Sequence, residues 1–334
     1  MAMKKFINDP ANLVQELLEG MALAHPRQIR LAGNNLVVRA NPKPQDKVAL
    51  VTLGGSGHEP ALSGYVGEGM LDISVPGEIF AAPGPPRVLE ALRMANREAG
   101  VLFIVLNHAG DVLSAKTVMQ MAAREGLNVK QVLTHEDISD QDPPDGPPQR
   151  RGLAGCLAVI KVAGAAAEQG RSLDEVAAIA QRMQDNMATL AVAVSGATHP
   201  ATGEVIAEVP EGKMCVGMGQ HGEAGGGMQD LKTADETADI MLPLLLEDRG
   251  VKAGDRLLVM LNGVGSTTLM ELYIVLRRVK QILDERGIEM ARTLVGEFLT
   301  VQEMAGFQMF IAKMDDELLE LWDAPCDTPA LTVK

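Results

Sequence analysis

The run Val48-Ala49-Leu50-Val51-Thr52-Leu53 is almost wholly apolar, of strand length, and it empties directly into Gly54-Gly55-Ser56-Gly57-His58-Glu59-Pro60. A strand without polar alternation is one covered on both faces, as in a parallel sheet layered between helices. The pattern recurs downstream. Val101-Leu102-Phe103-Ile104-Val105-Leu106 leads into Asn107-His108-Ala109-Gly110-Asp111, and a third strand is expected over 128–134. Helical patterns over about 86–98 and 112–125 lie between them. Strand, helix, strand, helix, strand is the order of a largely parallel sheet with right-handed crossovers. Ligands bind such sheets at the carboxyl ends of the strands, where these polar loops fall. Asp111 stands where it either caps the next helix or faces a ligand, and the sequence leaves both open.

The first loop is neither of the common phosphate loops. A Walker A loop ends in Gly-Lys-Ser/Thr, whereas this one ends in Gly57-His58-Glu59. A dinucleotide fingerprint opens a long helix, which Pro60 and the further glycines Gly64, Gly67 and Gly69 oppose. What remains is a set of backbone N–H groups beside an imidazole and a carboxylate, suited to a small polar substrate. A second such run, Gly217-Met218-Gly219-Gln220-His221-Gly222-Glu223-Ala224-Gly225-Gly226-Gly227, sets His221 among six glycines. Glycine permits positive φ and close approach of a ligand to the backbone, so the two loops are expected to share one pocket.

The candidate groups are then His58, Glu59, Asp111, His221 and Glu223. Neither a His-Glu-x-x-His zinc spacing nor a serine elbow occurs, and no metal is expected at the site. Imidazole serves as nucleophile or base near neutrality, and a carboxylate deprotonates or orients a hydroxyl, so carbonyl or hydroxyl chemistry fits. His25, His108, His135 and His199 read as surface or loop residues, with His108 close to Asp111.

At 334 residues the chain exceeds one ordinary core and is read as two α/β domains. Residues 1–187 carry the largely parallel sheet flanked by helices, and 188–334 a smaller mixed sheet with the His221 loop. A helix is expected over 8–25, and capping boxes at Ser172–Glu175 and Thr233–Glu236 open two more. Strands are expected near 190–194, 214–216, 256–261, 293–298 and 307–313, followed by a short acidic helix bearing Trp322. Pro76–Pro83 reads as turn-rich, 137–151 as a surface loop, and Asn262–Ser266 as an ordinary strand-to-helix connection. The net charge of −14 opposes a nucleic-acid partner. Cys156, Cys215 and Cys326 lack metal spacing and read as buried thiols of a reducing compartment. With no signal-like start and no apolar run long enough to span a bilayer, the expected setting is cytoplasmic.

Motifs along nearly the whole chain resemble the dihydroxyacetone-binding K subunit of bacterial dihydroxyacetone kinases. They are Lys4-Lys5-Phe6-Ile7-Asn8-Asp9, Gly54 to Pro60, Pro76-Gly77-Glu78-Ile79-Phe80, Gly110-Asp111, Arg150-Arg151-Gly152, Gly219 to Glu223, and Leu321-Trp322-Asp323-Ala324-Pro325. The resemblance implies a homodimer of two-domain α/β chains that binds a short-chain ketose between the glycine loops. It implies that His221 adds to the ketose carbonyl as a hemiaminal, that His58 and Asp111 act on the terminal hydroxyl that receives the phosphoryl group, and that the Gly55-Ser56-Gly57 loop holds the substrate. It also implies that this chain binds no cofactor itself, ATP or ADP with Mg residing on a separate L-type partner. The family commonly shows Lys-Asn-Tyr-Thr-Gly-Asp where this chain has Leu106-Asn107-His108-Ala109-Gly110-Asp111, and Glu-Pro-Gly where it has Glu223-Ala224-Gly225. Loss of a cation and two hydroxyls there makes a larger ketose such as erythrulose an expected substrate beside dihydroxyacetone. The alternative is a non-catalytic ketose-sensing co-regulator of a transcription factor. Retention of both His58 and Asp111 favours the enzyme, because a sensor needs only binding.

Overall fold

The computed structural model describes residues 5–223, 225 and 227–334. Six strands form the first sheet: β1 (Ile29–Ala32), β2 (Leu36–Arg39), β3 (Ala49–Ser56), β4 (Ile73–Ile79), β5 (Val101–Leu106) and β6 (Val129–Thr134). Their order is β1-β2-β4-β3-β5-β6. β4, β3, β5 and β6 run parallel, and the β1–β2 hairpin adds an antiparallel edge. Five helices accompany it: α1 (Leu13–Ala24), α2 (Pro85–Ala95), α3 (Ala109–Arg124), α4 (Cys156–Glu168) and α5 (Leu173–Asn186).

β5 shows why its sequence is uniformly apolar. Successive side chains point to opposite faces. Val101, Phe103 and Val105 enter the core under α2 and α3, while Leu102, Ile104 and Leu106 enter the core containing α1, α4 and α5. Each such side chain contributes about 1.5–3 kcal/mol over its exposed state.

The second unit holds a mixed sheet, also of six strands: β7 (Met187–Ala193), β8 (Lys213–Val216), β9 (Gly227–Asp230), β10 (Arg256–Gly263), β11 (Glu289–Gly296) and β12 (Gly306–Lys313). The order is β11-β10-β12-β7-β8-β9, and only the β10–β11 pair is parallel. Its outer face packs Leu257, Val259, Leu261, Met309 and Ile311 under α6 (Ala234–Asp248) and α7 (Leu269–Glu285). Its inner face sends Leu258, Met260, Phe310 and Ala312 into the core that already holds α4 and α5. The two sheets therefore share one helical layer. α4 suits that position because it is rich in alanine and lacks a side chain at Gly164, where a Cβ would sit 2.3 Å from Gly69 O. The chain ends by returning to this layer: α8 (Asp316–Asp323) contributes Leu318 and Leu321 to the same core, and Lys161 of α4 donates to Leu321 O and Ala324 O.

The capping boxes open α5 and α6 where expected, and a third, Thr268 with Glu271, opens α7. All three cysteines are buried and unpaired. No described helix is long and apolar enough to cross a membrane. One reading is corrected. The stretch beginning at Pro76, read as a turn, is the second half of β4, which pairs with β3. Pro76 and Gly77 lower the strand signal, but they lie where the ladder with β3 shifts register, and a bulge tolerates both residues.

Candidate active site between the two glycine loops

The first loop is held by backbone contact. β3 runs on through Gly54, Gly55 and Ser56, and a Cβ on Gly55 would lie 2.7 Å from Ala81 N. Gly57 adopts φ +100° against the ring of Phe80. Ser56 Oγ donates to Gly77 O at 2.8 Å, tying β3 to β4. Gly54, Gly55 and His58 line the cavity that follows, whereas Ser56 and Gly57 lie outside its lining.

His58 is 6% exposed. Its Nδ1 lies 2.8 Å from Thr300 O, an acceptor, so the ring carries its proton there and presents Nε2 as a lone pair. Thr300 also donates its N–H to His58 O and its hydroxyl to Glu59 O, which grips the loop from the segment between β11 and β12. That segment is itself set by Asn262 of β10, whose Oδ1 accepts from Phe298 N and Leu299 N while Nδ2 donates to Leu299 O. Burial, and next the charge of His221, push the His58 pKa down to about 3. Glu59 accepts from Gly57 N, and burial raises its pKa.

α3 begins at Ala109, three residues earlier than its periodicity suggests, with His108 at the N-cap and Asp111 in the first turn. No side-chain cap is made, which removes the capping reading of Asp111. Instead the carboxyl is buried with Oδ1 unpartnered, and desolvation lifts its pKa to about 7. His108 is a wall of the same cavity. Its Nε2 lies 2.8 Å from Gly152 O, and burial lowers its pKa to about 4.

The second loop leaves its histidine more open. His221 is half-buried, with Nδ1 3.2 Å from Glu223 Oε1 and its backbone N–H donating to Glu223 Oε2. Burial would raise the Glu223 pKa, but the hydrogen bond and charge of His221 hold it at about 2. Arg151 steadies the loop from outside, donating to Gly217 O while paired with Asp137. The two loops meet at the imidazoles: His58 Nε2 and His221 Nε2 are 3.1 Å apart. Phe80, at φ +54°, packs its ring 5.0 Å from His58, 5.7 Å from His221 and 5.6 Å from His199, centroid to centroid. The cavity is about 230 Å³ and partly open, with Asp111 and Gln220 also in its wall.

The structure thus brings His58, Asp111, His221, Glu223 and the Gly55 backbone to one cavity. Sequence reasoning gave Phe80, Gln220 and Thr300 no role in the site, read Asn262 as part of an ordinary strand-to-helix connection, and read His108 as a loop residue. Only His108 carried a signal, three residues before Asp111. Among the described residues, His108, His221 and Glu223 also bring potential metal-donor atoms within 4.8 Å of one another.

Fold and site define the class: a two-sheet α/β protein with a histidine-lined pocket closed by one loop from each sheet. The chain belongs to the Dak1 domain family, which matches residues 19–330. It is 37% identical over 333 residues to the PTS-dependent dihydroxyacetone kinase 2, dihydroxyacetone-binding subunit DhaK, of Listeria innocua, covering 99% of this chain and 100% of that one. An L-erythrulose kinase of Pectobacterium atrosepticum is 38% identical over 332 residues, which cover 98% of this chain and 56% of that longer protein. The solved structure of the dihydroxyacetone kinase operon co-activator Dha-DhaQ is similar with a TM-score of 0.89 and 29% identity, over 95% of this chain and 98% of that one.

Proposed function

We propose that this chain is the ketose-binding subunit of a dihydroxyacetone-type kinase, binding dihydroxyacetone or a longer ketose such as erythrulose. The observation that carries the reading is the 3.1 Å contact between His58 Nε2 and His221 Nε2 in a cavity that also holds a buried Asp111. Thr300 O holds a proton on His58 Nδ1 and Glu223 holds one on His221 Nδ1, so the two Nε2 atoms share a single further proton.

When a ketone enters, that proton passes through His58 to the carbonyl oxygen as His221 Nε2 bonds to the carbonyl carbon. The C=O π pair becomes a hydroxyl, and the charge left on the substituted ring is balanced by Glu223 at Nδ1. A polyol without a carbonyl cannot form this bond and is excluded. The terminal hydroxyl then falls to Asp111, whose pKa of about 7 suits a general base near neutrality. The phosphoryl group would come from ATP with Mg held on a separate L-type partner, which keeps the ADP that is left; neither glycine loop of this chain has the lysine that a nucleotide loop requires. The homodimer and the cytoplasmic setting implied by the resemblance belong to this reading.

A second reading, a ketose-sensing co-activator, is favoured by the likeness to Dha-DhaQ and needs only the His221 adduct. Phosphorylation of a ketose panel by this chain with an L-type partner, supplied with ATP or with a phosphotransferase relay, separates the two. Turnover of dihydroxyacetone or erythrulose is expected. Ketose binding without turnover, using a partner active with another K subunit, would replace the kinase by the sensor.

A further inference from the structure

We propose that His108, His221 and Glu223 form a site for a divalent transition metal, Zn(II) by the character of its donors, and that the bound ion excludes the ketose. The exclusion rests on the reading of His221 as the ketose-binding group; the metal site does not. The three donor atoms lie within 4.8 Å of one another and come from two separate loops. Tetrahedral zinc with bonds of about 2.0–2.2 Å sets its ligand atoms about 3.4 Å apart, so side-chain movements of about 1 Å close the set.

The surroundings are those of ligands. A metal-binding histidine characteristically donates its other ring N–H to a carbonyl or carboxylate. His108 Nε2 lies 2.8 Å from both Gly152 O and the Gln220 side-chain amide; with its proton given to the carbonyl, Nδ1 is left as the lone pair. Glu223 is oriented by the His221 N–H at Oε2, which turns Oε1 to the His221 ring. Two imidazoles and a carboxylate suit zinc rather than magnesium, which prefers oxygen ligands. Arg151 approaches Glu223 to only 4.0 Å and is engaged by Asp137. The remaining coordination position is left to water.

Coordination and ketose addition compete for one ring. An imidazole that gives one nitrogen to a metal keeps its proton on the other, so binding through either nitrogen removes the lone pair that adds to a carbonyl.

The test is titration of the full-length, chelator-treated protein with Co(II), read by its visible absorption, and with Zn(II) by calorimetry. One equivalent is expected to bind, about tenfold or more weaker in His108→Tyr and in His221→Gln, with folding checked by circular dichroism. Saturating dihydroxyacetone is expected to weaken the wild-type affinity. Absence of binding, or equal affinity in both variants, means an adventitious ion only and overturns the site. Simultaneous binding of ion and ketose overturns the exclusion. Metal binding that depends on both histidines in a protein that binds no ketose upholds the site and overturns the ketose reading.

Discussion

The two glycine loops deliver a histidine each to the same cavity and hold them in opposite ways. His58 is sealed, its loop continuous with β3, its Nδ1 on Thr300 O and its backbone clamped by a segment of the second sheet. His221 is half-exposed, and its partners are Glu223, two residues away, and His58 itself. Glycine lets backbone pack on backbone in both places, Gly55 against Ala81 N and Gly222 against Ile206 O, and each loop carries a glycine at positive φ, Gly57 at +100° and Gly222 at +79°. A ring that passes a proton gains from rigidity, whereas a ring that forms a bond to the substrate needs room.

The comparison breaks most plainly at His221. His221→Ala is expected to weaken ketose binding by about a thousandfold or more, equivalent to about 4 kcal/mol. Calorimetry with dihydroxyacetone reads this directly, and unchanged affinity would leave the open loop without its assigned role.

Asp111→Asn comes next, lowering kcat by about a hundredfold or more while ketose affinity moves far less. The wild-type rate is expected to climb as pH rises through about 7, because the carboxylate is the active form and burial has raised its pKa to that value. The variant should lose that inflection. A pH profile that persists in the variant would assign the base elsewhere.

The smallest effect tests the clamp. Asn262→Ala leaves Phe298 N, Leu299 N and Leu299 O without their side-chain partner, at about 1–3 kcal/mol for each group left unpaired. The melting temperature is expected to fall and ketose binding to weaken about tenfold through the loosened Thr300–His58 contact. Lower stability with unchanged ketose affinity would separate the clamp from the site.

What could be read from the sequence was local. The unbroken apolar runs of β3 and β5, the capping boxes, and the polar loops at the ends of buried strands all follow from neighbouring residues. β4 was hidden because Pro76 and Gly77 oppose strand formation everywhere except at a register shift. The start of α3 at Ala109 was hidden because Ala109 and Gly110 carry no apolar periodicity. The helical layer shared by both sheets, and the chain of contacts from Asn262 through Thr300 to His58, join residues far apart in sequence. Backbone N–H and C=O groups supply one side of each contact there, and they leave no mark on residue type.

The central claim is a bond between His221 and the ketose carbonyl carbon. Carbon-13 NMR of dihydroxyacetone labelled at its carbonyl, bound to the wild-type protein and to His221→Ala, tests it most directly. The account predicts that the bound carbonyl resonance moves from the ketone region to that of a tetrahedral carbon in the wild type and does not do so in the variant. A bound signal that stays in the ketone region of the wild-type protein would contradict it.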